Sequence, residues 1–181
     1  MNSDKSIIII SGEPNSIFLE IFFKTLKKLN IKKPLILIAS YKLVKLQMTK
    51  LKFKKRIKII NQKNFFNSKL DNKCINLIDV KYNPSKAFEN ISSKSNNYIE
   101  RCFEVGFNII KKNNIKRLVT GPISKKTFLN KKYLGLTEYI SSKFNVKKNV
   151  MLIYNKKLSV CPLTTHLPLK LVTKSINKKL I

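Results

Sequence analysis

The stretch Ile7-Ile8-Ile9-Ile10, followed at once by Ser11-Gly12-Glu13-Pro14, decides how the start of this chain folds. A short β-branched run that ends at glycine and proline is typical of a buried strand entering a turn. From Ile17 to Leu29 the apolar residues recur every three or four positions, which predicts a helix lying on a sheet. A strand, a turn and an amphipathic helix in this order predict the first unit of an α/β fold.

The same alternation continues along the chain. It predicts strands at 34–39, 57–60, 75–80, 117–123, 150–154 and 158–163, and helices at 41–51, 93–112, 137–144 and from 169 to the end. The helix at 93–112 carries the clearest apolar stripe, formed by Ile99, Cys102, Phe103, Gly106, Phe107 and Ile110. No linker or repeat divides the 181 residues. The sequence therefore predicts one region, 1–181, with an α/β/α sandwich around a mostly parallel sheet.

The charge of the chain is extreme but has a plain interpretation. There are 38 basic and 9 acidic residues, a net charge of +29, yet only Arg56, Arg101 and Arg117 are arginines. Proteins that read nucleic acid favour arginine, whose planar fork suits phosphate and guanine edges. Biased codon usage and a solvated lysine surface, including the basic stretch 52–58, are therefore favoured over a nucleic-acid partner. No window is long and apolar enough to span a membrane, and we expect a cytoplasmic protein.

Several polar residues follow predicted strands, where open α/β sheets bind their ligands. His166, the single histidine of the chain, could bind a metal or act as a base, although an ordinary hydrogen-bonded histidine is the favoured interpretation. The turn 120–126 (Thr-Gly-Pro-Ile-Ser-Lys-Lys) could meet an anion or be structural. Thr137 is expected to cap the next helix, whose N-terminus could bind phosphate. Glu13 closes the first strand, in a turn or facing a cleft.

Four motifs occur in a specific order: Ile-Ser-Gly-Glu-Pro at 10–14, Thr-Gly-Pro-Ile-Ser-Lys at 120–125, Gly-Leu-Thr-Glu-Tyr at 135–139 and Thr-Thr-His-Leu-Pro-Leu at 164–169. Together they resemble the 4-hydroxythreonine-4-phosphate dehydrogenase family. The resemblance covers essentially the whole chain, but only about the first half of the family's usual length.

The resemblance implies a fold of the isocitrate and isopropylmalate dehydrogenase type, incomplete here relative to the family. It implies oxidation of 4-phosphooxy-L-threonine by NAD or NADP, with decarboxylation to 3-amino-2-oxopropyl phosphate, in pyridoxal phosphate biosynthesis. A divalent metal (zinc, magnesium or cobalt) and a cytoplasmic homodimer are also implied, with no nucleic-acid or membrane partner.

By this resemblance, His166 matches a metal ligand and Thr137 a substrate-binding residue. Leu136 stands where the family has a substrate-binding histidine, so a polar contact is lost. The resemblance assigns no catalytic or cofactor-binding residue here. A single histidine cannot replace the usual three protein ligands of a catalytic metal. We therefore expect a shortened enzyme that needs a second copy or a second-half chain; the alternatives are a non-catalytic remnant and, less favoured, a basic nucleic-acid-binding protein.

Overall fold

The computed structural model describes residues 6–62, 70–129, 132–147, 149–165 and 167–177. These residues divide into two compact units, 1–128 and 129–181. The strands are β1 (Ile7–Ile10), β2 (Leu35–Ala39), β3 (Ile57–Ile59), β4 (Ile75–Asp79) and β5 (Leu118–Thr120). The helices are α1 (Phe18–Lys28), α2 (Tyr41–Lys50), α3 (Asn96–Asn113), α4 (Leu136–Lys143) and α5 (Leu169–Ser175).

The five described strands form one sheet in the first unit, in the order β3-β4-β2-β1-β5. Every neighbouring pair is parallel, for example with Ile9 opposite Leu37 in β2 and opposite Val119 in β5. The prediction of a mostly parallel α/β sheet is therefore confirmed. Parallel sheets are covered on both faces, which explains why β1 and β2 are almost continuously apolar and buried.

The alternation of side chains along β1 and β2 divides the core between two faces. Ile9 and Leu37 join α1 and α2 in one apolar cluster, to which Phe23 and Leu43 contribute. The opposite face, which includes Ile10, is covered by α3. The side-chain period of two along a strand thus produces the three layers of an α/β/α sandwich.

The predicted apolar stripe of α3 is confirmed, since all six of its residues are buried. Gly106 has a packing reason for its place in this stripe. A Cβ atom there would lie 2.6 Å from Cδ1 of Ile10, so a larger residue would push the helix away from the sheet. The helix ends at Asn113, and Asn114 closes it in the left-handed conformation that asparagine tolerates.

In the second unit the predicted strands at 150–154 and 158–163 are wrong. Only an isolated antiparallel bridge joins Ile153 to Val160 there. The apolar runs resemble strands, but every residue from 149 to 161 is exposed, and no described strand lies beside them to bury a face. The predicted final helix is present as α5, which ends at Ser175 within the described residues.

Candidate active site

The candidate site lies at the carboxyl ends of β1 and β5, where the order of the strands in the sheet reverses relative to their order in the chain. From β1 the chain passes to β2 on one side, whereas β5 joins β1 on the other side. Two neighbouring carboxyl ends whose chains leave in opposite directions form the crevice in which open α/β sheets bind ligands. The turns that follow these strands are 11–14 and 121–124, two of the segments singled out in the sequence.

Two glycines allow these turns to touch each other through their backbones. A Cβ atom on Gly121 would lie 2.0 Å from the carbonyl oxygen of Ser11, and one on Gly12 would lie 2.5 Å from that of Pro122. Gly12 also has φ +68°, a conformation that other residues rarely adopt. Gly121 N–H donates to Ile10 O (2.7 Å) and Glu13 N–H to Pro122 O (2.9 Å). These turns are therefore held in one arrangement by backbone hydrogen bonds.

Glu13 is a buried acidic residue at this junction, with 2% of its surface exposed. Its carboxylate accepts hydrogen bonds from the Ser95 hydroxyl (3.1 Å to Oε2) and the Asn15 N–H (3.3 Å to Oε1). Burial raises the pKa of Glu13, while the hydrogen bonds from Asn15 and Ser95 act in the opposite direction. The desolvated carboxyl therefore holds a proton more readily than an exposed glutamate does.

Tyr98 connects the ends of β1 and β2 from the first turn of α3. Its hydroxyl accepts the backbone N–H of Ser40 (2.9 Å) and lies 3.3 Å from the hydroxyl of Ser11. Burial raises the pKa of Tyr98 well above its usual value, so the phenol stays protonated. It therefore fixes both strand ends as a neutral group.

Cys102 lies one turn further along α3. Burial raises the pKa of its thiol to about 12, which makes it unreactive near neutral pH.

A second polar group lies where the segment after β5 meets the start of α3. The Asn96 amide donates to the carbonyl oxygen of Thr127 (2.8 Å), and the Thr127 N–H donates to the Ser124 hydroxyl (3.2 Å). The Asn96 Oδ1 and Thr127 Oγ1 atoms are buried without a hydrogen-bond partner among the described residues. Buried polar atoms of this kind are uncommon in folded proteins, so this corner is a candidate for polar contacts to a ligand.

For the turn after β5, the sequence leaves open whether Ser124 and Lys125 contact an anion or serve a structural turn. The Ser124 hydroxyl accepts the N–H of Thr127 at the start of a short π-helical turn, Lys125–Leu129. Lys125 and Lys126 are exposed. The two lysines could still contact an anion, whereas the Ser124 hydroxyl stabilises the turn through its hydrogen bond with Thr127.

Thr137 lies in the first turn of α4, in the second unit. The prediction that it caps this helix is wrong, because α4 begins at Leu136 and Gly135 occupies the N-cap position. Glycine there leaves the chain extended (φ −164°) and offers no capping side chain. The exposed Thr137 hydroxyl therefore remains able to bind a ligand together with the N–H groups of the first turn. His166 falls outside the described residues.

The implied metal has no complete set of ligands among the described residues. No group of three His, Cys, Asp or Glu side chains in the described part of the chain could hold a metal ion. A complete metal site would therefore need ligands from outside the described residues.

Sequence reasoning missed Ser95 and Tyr98. Ser95 contacts the turn after β1, and Tyr98 contacts both this turn and the end of β2. Tyr98 lies four residues before Cys102, on the same helical stripe. A phenol placed among apolar neighbours has to find a hydrogen-bond partner, and this signal could have identified it. Ser95 carries no comparable signal, because its contact with Glu13 joins residues 82 positions apart.

The fold and these turns define an α/β protein of the open parallel class, with its candidate site at a topological switch point. Comparison with known families identifies it further. Residues 24–181 match the family described as pyridoxal phosphate biosynthetic protein PdxA, and the chain belongs to that family.

Individual relatives agree with this assignment. The chain is 40% identical over 70 residues to a 4-hydroxythreonine-4-phosphate dehydrogenase of Aquifex aeolicus, which covers 36% of this chain and 21% of the relative. It is 39% identical over 66 residues to the enzyme of the same name from a Sulfurihydrogenibium species, covering 35% of this chain and 20% of the relative.

A solved 4-hydroxythreonine-4-phosphate dehydrogenase from Klebsiella pneumoniae has a similar fold, with a TM-score of 0.81 at 20% identity. That match takes in 97% of this chain but 55% of the solved one. The chain thus spans about half the length of the enzyme it resembles. The described residues, for their part, contain no helix that is both long and apolar enough to cross a membrane.

Proposed function

We propose that this chain forms part of a dehydrogenase of pyridoxal phosphate biosynthesis, which oxidises 4-phosphooxy-L-threonine and releases carbon dioxide and 3-amino-2-oxopropyl phosphate. The observation that carries the proposal is the family match over residues 24–181. The names of the curated relatives support the reaction. NAD or NADP would accept the hydride, and a divalent metal would act as a Lewis acid.

Within this enzyme the chain contributes binding and positioning. The Thr137 hydroxyl and the N–H groups at the start of α4 would bind an anionic part of the substrate, because a helix N-terminus favours negative charge. Leu136 cannot supply the polar contact that a histidine would make at that position. The turns after β1 and β5 would form one rigid wall of the crevice, since their hydrogen bonds leave little freedom to move.

The second unit supports the proposal of a partner chain. Large apolar side chains there are exposed to water, among them Val150 (76%), Leu158 (71%) and Leu169 (87%). An exposed apolar surface of this kind usually marks an interaction site. Either a second copy of the chain or a chain that supplies the family's second half could cover it. His166 would act as a metal ligand only together with ligands from such a partner.

The test is a turnover assay that follows the absorbance of reduced nicotinamide. The purified chain, supplied with substrate, NAD or NADP and a divalent metal, should show no turnover. Adding a polypeptide that contains the second half of a family enzyme should restore it. Turnover by the chain without that addition would overturn the proposed incompleteness, and its absence in both mixtures would overturn the proposed enzyme.

Substrate binding by the isolated chain tests the role of Thr137 separately. We expect the Thr137→Ala variant to bind the phosphorylated substrate about ten- to a hundredfold more weakly, since a hydrogen bond to a charged group contributes about 1.5–3 kcal/mol. Thr173→Ala, at another exposed threonine of the same unit, is the matched control. Equal affinities of the two variants, measured by calorimetry, would refute the role of Thr137.

The second candidate is a non-catalytic remnant that binds only the phosphorylated ligand. One observation favours it: the described residues contain no metal-binding cluster. The resemblance adds that Leu136 stands where the family has a polar residue. It predicts substrate binding that depends on Thr137, without turnover in any mixture.

A further inference from the structure

The candidate active site lies at the carboxyl ends of the strands, whereas a groove of about 810 Å³ lies at the opposite, amino ends. Helix α2 begins beside the carboxyl end of β2 and ends at Lys50, and the chain then enters the parallel strand β3. The groove is therefore at the amino edge of the strands. Its lining is formed by Lys45, Met48, Thr49, Lys52, Phe53, Lys54, Lys55 and Arg56.

Five of these eight lining residues carry a positive charge, and none carries a negative one. No acidic residue occurs in the sequence between Glu20 and Asp71. Glu20 lines a neighbouring cavity, where it forms an ion pair with Lys24. The partial negative charge at the end of α2 offsets only about half a unit of this positive charge.

This concentration differs from a lysine surface scattered by codon bias. The five cations line one concave space. Charges that lie closer together than the screening length of about 8–10 Å repel one another, so gathering them in one groove costs free energy. None of the five forms an ion pair with a described residue. A bound polyanion would replace this repulsion with charge-assisted hydrogen bonds.

The floor of the groove indicates which kind of anion fits. The Phe53 ring stacks on Phe23 at 4.6 Å, has the Lys27 ammonium 5.5 Å from its centroid, and belongs to a residue that is 6% exposed. It therefore offers no open face on which a nucleobase could stack, as single-stranded nucleic-acid sites require. A ligand in this groove would therefore be recognised by the cationic side chains that line it, and not by stacking on an aromatic ring.

The size of the groove favours a small ligand. A volume of about 810 Å³ falls within the roughly 300–1,000 Å³ that is usual for clefts and cavities that bind one small molecule. We propose that this groove binds a small compound with several phosphate groups, through its four lysines and Arg56. The site is separate from the proposed dehydrogenase function and does not depend on it.

The test uses inorganic triphosphate as the probe and the full 181-residue chain. We expect saturable one-to-one binding by calorimetry, weakened by added salt because the contacts are ionic. Triphosphate should also raise the unfolding temperature, since a ligand that binds the folded state stabilises it. Absence of saturable binding would overturn the proposal.

Charge-neutralised variants locate the site. The triple variant Lys45→Gln, Lys54→Gln and Arg56→Gln should bind triphosphate at least about tenfold more weakly, which corresponds to about 1.4 kcal/mol. The matched control, Lys156→Gln, Lys157→Gln and Lys170→Gln, removes the same charge from exposed lysines of the second unit. The single variants Lys54→Gln and Arg56→Gln, each expected to weaken binding, replace the triple variant if it fails to fold. Equal loss in the groove and control variants would refute the assignment to this groove.

A single-stranded RNA tests the competing ligand class. The proposal predicts that the RNA binds no better than triphosphate on a per-phosphate basis, and that groove and control variants lose RNA affinity equally. RNA binding that is much tighter than triphosphate binding, and that is lost specifically in the groove variant, would overturn the small-molecule assignment.

Discussion

Ile8 in β1 and Ile153 in the segment 149–165 are the same type of residue in opposite environments. Ile8 is fully buried, whereas 59% of Ile153 is exposed. Nearly all of the buried apolar residues belong to the first unit, while Leu129 and Tyr139 are the buried apolar side chains described in the second. The first unit thus contains its own core, and the second presents apolar surface that a partner could cover. The difference teaches that an apolar run forms a strand only where a neighbouring strand and a covering helix are present.

The largest expected effect concerns the glycines of the two units. Gly121→Ala should reduce the free energy of unfolding by about 3 kcal/mol or more, because its Cβ would overlap the backbone of Ser11. Gly135→Ala in the second unit should cost much less, since its Cβ would meet the movable Glu138 side chain at 3.0 Å. Urea denaturation measures both values, and similar losses would break the comparison.

The next effect concerns leucines. Leu77→Ala should cost about 2–5 kcal/mol, because its side chain is fully buried in the sheet. Leu158→Ala should change the free energy of unfolding by less than about 0.5 kcal/mol, since 71% of Leu158 is exposed. The same denaturation experiment applies, and a large cost at Leu158 would mean that the segment 149–165 is buried in the purified protein.

A smaller effect is expected when the phenol of Tyr98 is removed. Tyr98→Phe should cost about 1–3 kcal/mol, because the buried N–H of Ser40 loses its acceptor. Tyr154→Phe is the matched control, at a tyrosine that is 72% exposed. Equal stability of the two variants in thermal unfolding would show that the hydrogen bonds of Tyr98 do not hold the strand ends.

The smallest effect is a dependence on pH. Because the folded-state pKa of Glu13 is raised above 4.5, the folded protein binds more protons than the unfolded one just above pH 4.5. Stability from this group is therefore present at low pH and is lost as pH rises through the raised pKa. Glu13→Gln should remove this loss, so the variant should gain stability relative to the natural chain as pH rises through that window. A stability difference that stays constant over this pH range would contradict the raised pKa.

The predictable part of the fold came from local patterns. The buried runs at Ile7–Ile10 and Leu35–Ala39 and the stripe on α3 were predictable because their periodicity reflects the face that each element buries. The strands predicted at 150–154 and 158–163 were wrong because an apolar run does not reveal whether a neighbouring strand exists. The motif order predicted the family, which the family match confirms.

The site was only partly predictable. Glu13 and Gly121 were singled out because they follow strands. Their contacts, however, depend on the pairing of β1 with β5, and these two strands are far apart in sequence. Ser95 meets Glu13 only through the same long-range packing. The cap at α4 was misassigned by two residues because Gly135 fits the extended backbone there. The roles of Thr137 and His166 stay predictions.

Hydrogen exchange of the purified chain, followed by mass spectrometry, tests the comparison of the two units most directly. We predict slow exchange in peptides that contain β1, β2 and β4, whose amides are bonded within a buried sheet. Peptides from 149–165 should exchange rapidly and become protected only when a partner chain covers them. Slow exchange in both regions of the chain by itself would contradict the account, because it would mean that the second unit already has its apolar surface buried.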